Sequence, residues 1–201
     1  MPTYKAPVAD ALFLAADVFR LADHADLPGF EDIGGDTLEA VLDEAAKLAE
    51  EVLAPLNRGG DVDGCTRRQD GSVATPEGFD AAYARFAEGG WVGLAGDPAY
   101  GGQGLPFVVA ALANEFFTSA NMALAMYPGL TQGAITAVTL HGSQAQKDLY
   151  LPKLMSGEWS GTMNLTEPQC GTDLGLVRTK AAPAGDGSYR ISGTKIFISS
   201  G

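Results

Sequence analysis

The chain has 201 residues, 46% of them apolar, and a net charge of −12. That is enough apolar material for one buried core, while the acidity excludes nucleic acid, whose phosphates need a clustered basic surface, and speaks against docking on anionic lipid. Two cysteines, Cys65 and Cys170, with no C-x-x-C pair give neither a zinc site nor a disulfide framework.

The opening MPTYKAPVADALF has no basic start leading into an apolar core and is not rich in Arg and Ser. It reads as neither a secretory signal nor a transit peptide. No run approaches the ~20 apolar residues that span a bilayer, so a soluble cytoplasmic protein with no membrane partner is expected.

A helix is predicted from Thr37 to about Leu56. Leu38, Val41, Leu42, Ala45, Leu48, Ala49, Val52, Leu53 and Leu56 recur at three- and four-residue steps, one stripe of a 3.6-residue period. Asp36 is the expected N-cap, and Pro55 and Gly59-Gly60 the expected end. A second helix is predicted from Thr75-Pro76, with Phe79, Ala82, Tyr83 and Phe86 on one side and a stop at Gly89-Gly90. The Gly-rich loop GLAGDPAYGGQGLP follows. Phe107 to about Ala125 is apolar nearly all round, which predicts a buried helix. A further helical run covers Gln132 to Leu140, and Ser143 caps QAQKDLYLPKLMSG.

From Trp159 the period changes. SGTMNLT is a strand candidate, and RTKAAP and SYRISGTKIFISS are joined by AGDG, a turn signal. The fold expected is mainly α: a helical bundle with an N-terminal arm over residues 1–158, then the first strands of an antiparallel β domain over 159–201. About 40 residues of sheet are too few for an independent core.

His24 and His141 flank no acidic cluster, so no metal site is expected. There is no G-x-S-x-G elbow, and GGQG at 101–104 follows a loop rather than a strand, which removes a Rossmann reading. The chemistry-bearing segment is Met163-Asn164-Leu165-Thr166-Glu167-Pro168-Gln169-Cys170-Gly171-Thr172-Asp173. Such a Pro- and Gly-containing turn, rich in small hydroxyls, can present N–H groups and hydroxyls to a polar heterocycle or a phosphate. On the residues alone it can equally be a hairpin loop.

The segment resembles the L-T-E-P-x-x-G-(S/T)-D signature of the FAD-dependent acyl-CoA dehydrogenases. HGSQAQKDLYLPKLMSGEWSGTMNLTEP is similar to the stretch leading into that signature, GLAGDPAYGGQGLP to the family's early Gly-rich loop, and YRISGTKIFISSG to its later strand. The four motifs fall in order, and the resemblance covers about Thr37 to Gly201. The first residues also resemble the N-terminal arm of the subgroup that includes methylthiopropionyl-CoA dehydrogenases.

The resemblance implies α,β-dehydrogenation of an acyl-CoA thioester, with hydride passing to FAD. It implies that Met163, Leu165 and Thr166 meet the flavin, that Phe197 packs on it, and that the Ser199 hydroxyl bonds near its N5. It implies that Thr172 meets the CoA phosphate region and that Met126 and Leu130 line the acyl pocket. Glu167 and Asp173 are structural by the same likeness, and the base is a glutamate of the family's C-terminal helical domain, outside these 201 residues. The chain is then an N-terminal fragment, inactive alone. An electron-transferring flavoprotein is the implied electron acceptor, and a homodimer or homotetramer the implied assembly at full length. The alternative is a non-catalytic remnant that binds acyl-CoA or a partner.

Overall fold

The computed structural model describes residues 3–31 and 33–199; Met1, Pro2, Asp32, Ser200 and Gly201, which includes the end of the YRISGTKIFISSG motif, lie outside them. An N-terminal arm carries α1 (Val8–Phe13) and is tied down where Lys5 Nζ and the Ala6 N–H both donate to the Glu50 carboxylate, the latter at 2.9 Å. Packing of α1 against α2 (Gly35–Lys47) buries Ala11.

The first long helix goes further than its breakers suggest. α2 passes through a wider π-helical stretch, Leu48–Leu53, directly into α3 (Ala54–Asp63). Pro55 has no N–H to give and its ring crowds the carbonyl four residues back, and the wider turns just before it make the room. The helix thus continues past Pro55 and Gly59-Gly60 and stops at Gly64, whose φ is +61°. Its N-cap is Gly34, with no side-chain capping bond, rather than Asp36. The apolar stripe lies where the period puts it: Leu38, Leu42, Ala45, Leu48, Ala49, Val52 and Leu53 are buried.

A hairpin follows that the 3.6-residue pattern gave no hint of. β1 (Thr66–Arg67) pairs antiparallel with β2 (Val73–Ala74), and the Asp70 carboxylate accepts the Ser72 N–H at 2.9 Å in the turn. The next helix, α4 (Phe79–Glu88), starts with Gly78 as its N-cap rather than at Thr75-Pro76, after a turn through Glu77-Gly78 closed by the Phe79 N–H on the Pro76 carbonyl. Phe86 and Trp91 each meet Phe117 edge to face, at 5.1 and 5.2 Å between ring centroids. The Gly-rich loop folds back on itself through Gly104 N–H to the Gly96 carbonyl, 2.9 Å, and a Cβ at Gly102 would lie 2.1 Å from the Gly96 carbonyl carbon. Only glycine fits that crossing.

α5 (Phe107–Ala120) ends five residues before the expected point, at Asn121, which caps α6 (Met122–His141). The Asn121 carboxamide accepts from the Leu124 N–H and donates to the Leu53 carbonyl, both at 3.1 Å, and is 1% exposed. That side chain makes the break, whereas Pro128 lies inside α6 without ending it. α5 is also two-sided: Val109, Ala113, Phe116, Phe117 and Ala120 are buried, but Phe107 is exposed. Ser143 caps α7 (Gln144–Met155) with a reciprocal bond from Gln146, a capping box. Past α7 the only regular strands among the described residues are β3 (Lys180–Pro183) and β4 (Tyr189–Ser192), an antiparallel hairpin exposed on both faces. SGTMNLT and KIFIS form no regular strand and meet through one bridge, Met163 to Ser199, and one further backbone hydrogen bond, Ile196 to Thr166.

Candidate functional site

Helix α6 positions the site. Gly161 packs so closely on it that a Cβ there would come within 2.6 Å of Ala134 Cβ. The Gly161 N–H donates to the fully buried Thr131 hydroxyl at 3.1 Å, and Tyr127 Oη bonds Ser160 Oγ at 3.1 Å. The chain leaving this anchor runs through Met163, Leu165 and Thr166.

Those residues pair with the later segment. Met163 bridges Ser199 antiparallel, and the Ile196 N–H donates to the Thr166 carbonyl at 3.0 Å. Both contacts obey one register, which sets Leu165 opposite Phe197 and Glu167 opposite Lys195. The structure therefore brings Met163, Leu165, Phe197 and Ser199 of the residues expected at the cofactor to one side of the pairing, while Thr166, opposite Ile196, lies on the alternate side. Opposed residues of a ladder share a face. Here that face is uncovered, with Met163 49%, Leu165 41% and Phe197 83% exposed. Phe197 also has φ +53°, a left-handed conformation that costs a bulky residue free energy.

Beyond Thr166 the chain turns on Glu167-Pro168-Gln169-Cys170, closed by paired backbone bonds of 2.9 and 3.0 Å between Glu167 and Cys170. Glu167 is 3% exposed, shielded by the loops around it and outside the helical core. Its carboxylate accepts the Arg178 N–H at 2.8 Å, the Thr179 N–H at 3.0 Å and Lys195 Nζ at 2.9 Å. The carboxyl is held far below the usual carboxylate range by the adjacent Thr179 side chain, then by Lys195 and the Arg178 amide. The Thr179 hydroxyl itself makes no hydrogen bond of normal geometry, so it acts as a nearby dipole while Lys195 and the two amides carry the ionised state. A carboxylate so saturated with donors is a poor proton acceptor. Asp173 accepts the Gly175 N–H at 3.0 Å and caps the short turn Leu174–Leu176.

The residues expected at substrate are dispersed. Thr172 is exposed in the loop past the Glu167–Cys170 turn. Met126 is 52% exposed and Leu130 half-buried on α6, so this stretch is not the buried helix the apolar run suggested. An open cleft of about 600 Å³ between α6, α7 and residues 158–161 is lined by Ala134, Val138, Tyr150, Leu154 and Trp159. A second, apolar cavity of about 420 Å³ is lined by Phe79, Tyr83, Leu124 and Tyr127. Neither includes Met126 or Leu130. Lys195, which the sequence left unassigned, is the residue that reasoning missed; its place opposite Glu167 becomes visible once the two motifs are set antiparallel. Among the described residues no three metal-binding side chains converge, and no helix is long and apolar enough to cross a membrane.

The chain thus combines an N-terminal helical array, a Gly-rich crossing loop and, beyond the Gly161 contact with α6, a short two-segment pairing. The profile of the acyl-CoA dehydrogenase N-terminal domain matches residues 35–158, and the chain belongs to that family. It is 46% identical over 199 residues to 3-methylmercaptopropionyl-CoA dehydrogenase of Ruegeria pomeroyi, covering 99% of this chain and 34% of that protein. It is 39% identical to a butyryl-CoA dehydrogenase of Syntrophomonas wolfei over 84% of this chain and 28% of that one. The acyl-CoA dehydrogenase of Bacillus anthracis complexed with FAD superposes with a TM-score of 0.68 at 26% identity, covering 84% of this chain and 27% of that one. The chain thus spans about a third of the length of these curated relatives.

Proposed function

We propose that this chain is the flavin-facing front portion of an enzyme that oxidises an acyl-CoA thioester to its α,β-unsaturated product using FAD. The division assigned is a helical unit over residues 1–158 and the beginning of a β unit over 159–201. The observation that carries the reading is the uncovered ladder face, where Met163, Leu165 and Phe197 offer an apolar surface and Ser199, opposite Met163, supplies a hydroxyl on the same side. A flat, amphipathic ring system fits such a surface. FAD, when bound, supplies the two-electron acceptor for the β-hydrogen.

The chain's own residues position and shield. Leu165 and Phe197 would hold a bound flavin ring and keep water from one side of it. Thr166 and Ser199 would supply hydroxyl donors toward a bound flavin, and donors fixed in advance stabilise developing negative charge without reorganisation. Thr172 is assigned to the CoA phosphates, and Met126 and Leu130 to the acyl chain. Neither Glu167 nor Asp173 is assigned the α-proton, because the carboxylate of each is committed to structural donors. The likeness to the Ruegeria pomeroyi protein favours a short thioether-bearing acyl group. Transfer of electrons to an electron-transferring flavoprotein, assembly as a homodimer or homotetramer and a cytoplasmic location complete the proposal.

The protein at its native length, purified with FAD, tests it. Anaerobic addition of 3-methylmercaptopropionyl-CoA or butyryl-CoA is expected to bleach the flavin's visible band. No bleaching by any acyl-CoA in a chain-length series would reject the reading.

A further inference from the structure

Lys195 and Glu167 have no part in the chemistry above, yet their side chains are only 19% and 2% exposed. Burying an ion pair is costly unless its remaining hydrogen-bonding capacity is met, and here it is met across three separate stretches of chain. Lys195 Nζ donates to Glu167 Oε1 and to the Leu165 carbonyl, each at 2.9 Å. Glu167 accepts the amides of Arg178 and Thr179, and Gln169 Nε2 donates both to Glu167 Oε2 and, at 3.2 Å, to the Leu176 carbonyl.

The backbone alone does little of this work. Between the 163–167 and 195–199 segments lie one bridge and one further hydrogen bond, and the β3–β4 hairpin is exposed on both faces. A pairing this short is marginal in water. The ion pair stands at its closed end, directly opposite in register. Its contact with the Leu165 carbonyl has a second consequence. The peptide is planar and trans, so holding that oxygen toward Lys195 turns the Thr166 N–H to the other side.

We propose that Lys195 and Glu167 are positioning residues: a buried ionic lock that fixes the register of the two cofactor-facing segments and orients the Leu165–Thr166 peptide. The role in flavin chemistry rests on the reading in the preceding section; the lock itself does not. Two measurements separate them. In this chain, hydrogen exchange reads the lock directly. The amides of Ile196, Arg178 and Thr179 are expected to be protected, to lose at least about tenfold of that protection in Lys195→Met and Glu167→Gln, and to recover most of it in Lys195→Arg, which keeps the charge. Amides of α5 and α6 should exchange as in the wild type, which distinguishes a local opening from failure to fold. Where Lys195→Met does not fold, Glu167→Gln carries the same comparison. Unchanged exchange at Ile196, or equal loss in Lys195→Arg, overturns the lock.

In the protein at native length with FAD, Lys195→Met is expected to slow flavin reduction by up to about 10²-fold through misplacement of the ring, with KM little changed and Lys195→Arg largely restoring the rate. A wild type that takes up no flavin would sink the functional reading and leave the exchange result standing. A flavin-loaded Lys195→Met reduced at the wild-type rate would sink the positioning role.

Discussion

Thr166 and Glu167 are adjacent in the chain and have opposite surroundings. The Glu167 carboxylate is enclosed by amides and an ammonium, while Thr166 is half-buried with its carbonyl in the ladder. Replacing Thr166 with Val keeps the shape and removes only the hydroxyl. If that hydroxyl serves the reduced ring, stopped-flow reduction at native length should slow by up to about 10²–10³-fold, with substrate dissociation changed far less. An unaltered reduction rate with weakened substrate binding would reassign Thr166 to the substrate. This grouping was legible in the sequence because each motif kept its residue types in order. Lys195 was not legible, since its importance arises from a cross-strand register that no single segment contains. Nor was the exposure of Met126, because an apolar run carries no mark of which side meets solvent when a breaker shifts the helix start.

That breaker is Asn121, and it matters at the scale of elements. The Pro128-Gly129 pair looks like the stronger punctuation, and Pro55 looked like a stop. Both lie inside helices, because a proline's missing N–H and crowded ring can be absorbed by wider turns or by packing. Asn121 ends α5 because its carboxamide satisfies both the Leu124 N–H and the Leu53 carbonyl, joining α6 to the end of the π-helical stretch. Asn121→Ala removes an N-cap, worth about 1 kcal/mol, and a second buried hydrogen bond to the Leu53 carbonyl, worth about 0.5–1.5 kcal/mol, so urea unfolding should show a loss of roughly 1.5–2.5 kcal/mol. Asn121→Asp keeps the cap acceptor and loses the bond to Leu53, and should be affected by its buried charge as well. An alanine variant within about 0.5 kcal/mol of wild type, the range of an ordinary surface change, would show that packing alone sets the break. The hairpin at residues 66–74 had a readable signal in Asp70-Gly71-Ser72, the same turn chemistry as Asp186-Gly187-Ser188, but its strands are too short to show a period of two.

At the scale of the whole molecule, a charge of −12 coexists with an uncovered apolar ladder face around Met163, Leu165 and Phe197. Like charge keeps copies apart at neutral pH and opposes association through that face. The balance reverses as pH approaches the sequence isoelectric point of about 4.4. Loss of structure is the competing explanation for association there, and the carboxylates argue against it. Glu167 is held far below its ordinary range by the Thr179 side chain and Lys195, Glu50 is lowered by Lys5 and the Ala6 amide, and Asp70 and Asp186 are lowered by Ser72 and Ser188. A carboxyl with a depressed folded-state value contributes stability that is fully present above its unfolded value, near ~4. That contribution is lost only as pH falls through the lower folded value. These groups therefore still favour the folded chain at the isoelectric point, and the lock at Glu167 outlasts it. Light scattering from the chain should rise near pH 4.4 while far-UV circular dichroism stays that of the helical fold, with helical signal lost only at more acid pH. Replacing Phe197 with Ser should reduce the scattering without altering the dichroism. Helical signal that falls before scattering begins would place unfolding first and leave the apolar face without a part in the association.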